Sequence, residues 1–79
     1  MSAWMSIPLE EIIVDLLRRR GGVAKDKELY TMLKAMLGDV SQREVLKALL
    51  KLELSDVVRV STIKKNLKSV TLIKKPEEG

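Results

Sequence analysis

The sequence predicts an α+β domain in which a bundle of three helices is followed by a C-terminal two-stranded β-hairpin. Three observations carry that expectation. Apolar residues recur with a helical period up to Leu54 and alternate with a period of 2 from Val57 onward. Each helical stretch runs into a stop signal: Gly21-Gly22, Gly38 and Ser55-Asp56. Ser41-Gln42-Arg43-Glu44 is an S-x-x-E capping box and marks the start of the third helix. With 79 residues the chain is one domain, 1–79, with its core over 7–74 and flexible ends at 1–5 and 76–79.

The first helix is expected over Ile7 to Arg20. Ser6 is the candidate N-cap, and Pro8 falls in the first turn, where its missing N–H costs nothing. Glu10 and Glu11 lie near the positive end of the helix dipole. Leu9, Ile12, Ile13, Leu16 and Leu17 make one apolar face. Arg18, Arg19 and Arg20 complement the negative end, although they could also touch a polyanion. Val23-Ala24 leaves room for a brief strand. Asp26 is the candidate cap of a second helix with Leu29, Leu33, Met36 and Leu37 inward, Tyr30 and Met32 at its flanks, and Gly38 at its end. Asp39-Val40 form a tight turn. The third helix then presents Val45, Leu46, Leu49, Leu50 and Leu52 as its apolar side, closed by Leu54, with Arg43, Lys47 and Lys51 on another side. Val58, Val60 and Thr62 alternate with Arg59, Ser61 and Ile63. Lys64 to Lys68 read as a turn, and Val70 and Leu72 alternate with Thr71 and Ile73 in the return strand.

The composition narrows the chemistry. There is no cysteine and no histidine, so disulfides, Cys/His metal sites, a thiol nucleophile and a histidine base are excluded together. No glycine-rich phosphate loop or nucleophile motif occurs, and the acids Glu10, Glu11 and Asp15 read as a solvated face. The chain is therefore not expected to be an enzyme, nor to need a cofactor or metal. No apolar run reaches the ~20 residues that a membrane-spanning helix requires, and MSAWMS has neither a basic nor a hydrophobic signal region. A cytoplasmic protein without membrane contact is expected. Charged residues make up 33% of the chain while Asn and Gln are almost missing. That fits a heat-adapted cell, archaeal in type, slightly better than it fits chance in so short a chain.

Charge is the strongest functional signal. Residues 41–75 hold nine Lys/Arg against three acids, residues 1–40 hold six of each sign, and two further acids follow Pro76. The whole excess of positive charge therefore sits on the third helix and the hairpin. Such a face suits a polyanion, most often nucleic acid.

The order helix, short strand, helix, turn, helix, hairpin resembles the winged helix-turn-helix domain of small transcriptional regulators. Ser41 to Glu53 is similar to that family's recognition helix, Val57-Val58-Arg59-Val60 to its first wing strand and Ser69 to Ile73 to its second. The family often has a glycine where Ser55-Asp56 stand here. The resemblance implies a third helix entering the major groove of duplex DNA. Gln42 and Arg43 would then read base edges, where their planar two-point groups match adenine and guanine. Lys47 and Lys51 would meet phosphates. The wing residues Lys64, Lys65 and Lys68 would straddle a phosphate backbone or reach a minor groove, with Asn66 adding a hydrogen bond, and Arg59 would join the DNA contacts. The plainer alternative is that the helix cations are a solvated face and the hairpin lysines guard a sheet edge. Trp4 would pack over the first helix or serve a homodimer contact.

The expected function is double-stranded DNA binding, sequence-specific or sequence-tolerant, by a regulator or nucleoid-associated protein. The rival is a protein–protein module that meets an acidic protein partner, with Leu67 as an apolar anchor at the hairpin tip. RNA is a weaker third option, because one Trp and one Tyr offer no stacking platform.

Overall fold

A computed structural model describes residues 7–73. They form helices α1 (Leu9–Arg19), α2 (Asp26–Leu37) and α3 (Gln42–Leu54), with strands β1 (Val23–Lys25), β2 (Val58–Lys64) and β3 (Leu67–Leu72). The three strands make one antiparallel sheet in the order β1-β3-β2. The chain is thus α+β, with a three-stranded sheet where a two-stranded hairpin was expected. The extra strand is the short Val23-Ala24 segment, one residue longer than anticipated, which pairs Ala24 with Val70. The expected Ser6 cap, the role expected of Trp4 and the hairpin beyond Ile73 lie outside the described residues.

Helix α1 begins two residues later than the sequence suggests. Pro8 takes the N-cap place, and its carbonyl accepts from the Glu11 and Ile12 N–H groups at 3.0 and 3.3 Å. At the other end the Gly22 N–H donates to the Leu17 carbonyl and the Gly21 N–H to that of Arg18, with Gly21 at φ +79°. That is a Schellman motif, which closes the last turn and reverses the chain into β1. Glycine is favoured there because a side chain in the left-handed region meets its own carbonyl.

Helix α2 corrects one expectation. Asp26 is the first helical residue, and the cap position belongs to Lys25. A lysine side chain cannot accept a hydrogen bond, so only the reverse half of a capping box forms: the Lys25 N–H donates to Glu28 Oε1 at 3.0 Å. Asp26 Oδ1 instead accepts from the Lys27 N–H at 2.8 Å and from the Lys68 N–H at 3.2 Å. It therefore ties the start of α2 to the hairpin. Helix α3 has the complete box, with Ser41 Oγ accepting from the Glu44 N–H at 3.1 Å and Glu44 Oε1 from the Ser41 N–H at 2.9 Å.

The core is aliphatic: Ile12, Ile13, Leu16 and Leu17 of α1, Leu29 and Leu33 of α2, and Val45, Ala48, Leu49 and Leu52 of α3 meet Val58 and Val70 from the sheet. No polar residue is buried among the described residues. Here α3 departs from expectation. Ala48 is in the core, whereas Leu46 and Leu50 are about half exposed and Leu54 more so. The hairpin departs too. Its turn is only Lys65-Asn66, because Lys64 pairs with Leu67 beyond an irregularity at Ile63. Leu67 and Lys68 are thus strand residues and partly covered. Among the described residues no helix is long and apolar enough to cross a membrane.

Candidate functional site

The start of α2, the start of α3 and the hairpin turn converge on one open cleft of about 450 Å³. Its walls are Asp26, Lys27 and Tyr30 from α2, Gln42, Val45 and Leu46 from α3, and Lys65, Asn66 and Lys68 from the hairpin. The local chemistry explains why these meet. The Ser41 capping box fixes the first turn of α3 and so aims Gln42. The Asp26 to Lys68 hydrogen bond joins residues 42 apart and holds the hairpin against the N-terminal turn of α2. Two helix N-termini and three lysines surround the cleft, opposed by the single carboxylate of Asp26, itself occupied by two backbone N–H groups. Such a setting attracts an anion.

Of the nine residues singled out for DNA contact, Gln42, Lys65, Asn66 and Lys68 line this cleft. Arg43 and Lys47 stand beside it on the exposed side of α3 and form no ion pair among the described residues. Lys51 is turned elsewhere: its Nζ lies 3.7 Å from Glu10 Oε2, against α1. Arg59 and Lys64 are exposed along β2, outside the cleft walls. Sequence reasoning missed Lys27, because a lone lysine in the first turn of a helix carries no pattern. It also missed the latch role of Asp26, since a partner 42 residues away leaves no local trace.

The arginines that end α1 do not join this site. Arg19 Nε bonds Asp15 at 3.0 Å, and Arg20 reaches Glu28 at 3.2 Å across the α1–α2 corner. The Glu28 carboxyl is held below the ordinary carboxylate range, chiefly by the Lys25 N–H that it accepts; desolvation opposes this, and the Arg20 and Lys25 charges lower it further. Among the described residues no cluster of acidic side chains could hold a metal ion.

Comparison with protein-family models, with curated proteins and with solved structures finds no match to this chain.

Proposed function

We propose that this protein is a winged helix-turn-helix DNA-binding protein, acting as a small transcriptional regulator or a nucleoid-associated protein. The observation that carries this reading is the meeting of Lys65, Asn66 and Lys68 with Lys27 and Gln42 around one cleft, beside the exposed Arg43 and Lys47. Three helices and a three-stranded antiparallel sheet are compatible with that fold. The first turns of α3 enter the major groove, with Gln42 and Arg43 at base edges. Lys27, Lys47 and the hairpin lysines take phosphates, and the Asp26 latch sets the spacing between helix and hairpin. Leu46 and Leu50 restrict the polar reading surface to the start of α3, so affinity comes mainly from phosphates. With about five such contacts, log K against log salt falls with a slope near −4 to −5.

Fluorescence anisotropy with a random-sequence duplex, titrated across salt, tests this. Salt-dependent binding is expected, and the charge reversal Arg43→Glu/Lys47→Glu abolishes it. Absence of binding at low salt, or a double variant that binds as wild type does, would sink the reading.

A further inference from the structure

Three leucines of α3 have no place in the core. Leu46, Leu50 and Leu54 are 50%, 56% and 77% exposed. They recur every four residues, so they form one continuous ridge along the outside of the helix. The other large hydrophobics exposed among the described residues, Val23 and Ile63, are single residues on strands. A lone exposed leucine needs no explanation, but three in a row on one helix make a patch of the kind that marks an interaction surface.

The spacing of the ridge and the charges beside it define the occupant. A ridge of residues four apart seats in the groove between equivalent ridges of another helix. Arg43 and Lys47 border this ridge, and neither has an ion-pair partner among the described residues. Within α3 the acid that borders the ridge is Glu53, on the opposite side. A second copy of this chain would bring the same positive field from residues 41–75 and be repelled, whereas acidic flanks would be attracted.

We propose that Leu46, Leu50 and Leu54 dock an amphipathic acidic helix of a partner protein. The partner's apolar row lies on the leucines, and its Asp/Glu flanks reach Arg43 and Lys47. Docking itself is independent of DNA binding. One consequence rests on the DNA reading: because Arg43 and Lys47 serve both ligands, helix and duplex exclude each other.

The test uses the full chain and two synthetic amphipathic helices with the same leucine row, one flanked by glutamates and one by lysines. Anisotropy titrations are run with the wild type and with Leu50→Ser/Leu54→Ser, whose positions are exposed and whose fold is checked by circular dichroism. The glutamate peptide is expected to bind at least about tenfold tighter than its lysine twin, and the double variant to lose at least about tenfold of that affinity. Sedimentation equilibrium of the chain alone is expected to show no self-association through α3. Peptide binding indifferent to the leucine changes, no binding of the glutamate peptide, or a dimer that the double variant abolishes would each overturn the proposal. Duplex titrations on the same two proteins separate the readings. The leucine variant keeps its DNA affinity, and a failure of DNA binding in both proteins removes the duplex while leaving the docking result intact.

Discussion

Helices α1 and α3 put the same number of side chains into the core and differ in the apolar residues they leave outside. Helix α1 buries Ile12, Ile13, Leu16 and Leu17, and α3 buries Val45, Ala48, Leu49 and Leu52. On α1 the remaining apolar residues Leu9 and Val14 still pack against the core, and Asp15 pairs with Arg19 and Glu10 with Lys51 of α3, which leaves Glu11 and Arg18 outside the ion pairs of the described residues. On α3 three leucines and two cations face outward with no partner in the described domain. A helix whose apolar groups are all covered at home is scaffold. Helix α3 instead leaves cations open at its start and an apolar ridge further along.

The largest test of this contrast is a truncation series. Leu17→Ala in α1 and Leu49→Ala in α3 remove fully or nearly fully buried side chains and should each cost about 2–5 kcal/mol in urea unfolding. Leu50→Ala, one residue along from Leu49, should stay within about 0.5 kcal/mol, because Leu50 is already 56% exposed and lies outside the core. A Leu50→Ala cost equal to that of Leu49→Ala would mean that the ridge is covered within the folded chain, and the distinction between the two helices would collapse.

That pair of neighbours also shows what was legible in the sequence. The helices, the glycine stops, the capping box at Ser41 and the change of period at Val57 are local patterns, and each one reappears in the structure. The phase of α3 is not local. Val45-Leu49-Leu52 and Leu46-Leu50 are both apolar rows at helical spacing, so composition alone admits either as the inner face. Tertiary packing chooses the row that contains the small Ala48. The hairpin turn was misplaced for a similar reason. Lys64 to Lys68 is polar enough to read as loop, yet backbone pairing of Lys64 with Leu67 and the Asp26 latch on the Lys68 N–H extend the strands through it. The site was half legible: the hairpin residues and Gln42 follow from charge and capping, whereas Lys27 comes to the cleft only through tertiary contact.

The two helices end in the same hydrogen-bonding motif with different residues at its critical position, which gives a second, smaller test. In α3 the Val57 N–H donates to the Leu52 carbonyl at 2.9 Å and the Asp56 N–H to that of Glu53 at 3.1 Å, as Gly22 and Gly21 do in α1. Asp56 therefore sits at φ +60°, where α1 has Gly21 at +79°. The left-handed region penalises a side chain, and a carboxylate at a helix C-terminus faces the negative end of the dipole. Glycine relieves both effects and loses part of the gain to the greater freedom of its unfolded chain. Asp56→Gly should therefore stabilise the protein by about 0.5–1 kcal/mol, seen as a higher melting temperature at roughly 4–8 °C per kcal/mol. The matching change Gly21→Asp at the end of α1 should destabilise. If Asp56→Gly melts at or below the wild-type temperature, Asp56 is contributing something other than its backbone shape.

The smallest effect expected concerns charge, and it separates matched ion pairs from open cations. Glu28 accepts the Lys25 N–H and faces Arg20, so its folded-state pKa lies below its unfolded one. A lowered carboxyl pKa contributes stability above the unfolded value, and that contribution is lost as pH falls through the folded one. The pair is about 40% exposed on each side, so solvent screens it and the effect is modest. Glu28→Gln keeps an oxygen for the Lys25 N–H and removes the charge. Its melting temperature should lie below that of the wild type at neutral pH, and the two curves should converge on the acid side. Arg43→Gln, which breaks no ion pair among the described residues, should leave the shape of the acid limb unchanged. If Glu28→Gln runs parallel to the wild type throughout while Arg43→Gln flattens the limb, Arg43 has a carboxylate partner in the folded chain, and its side of α3 is not open to an incoming anion.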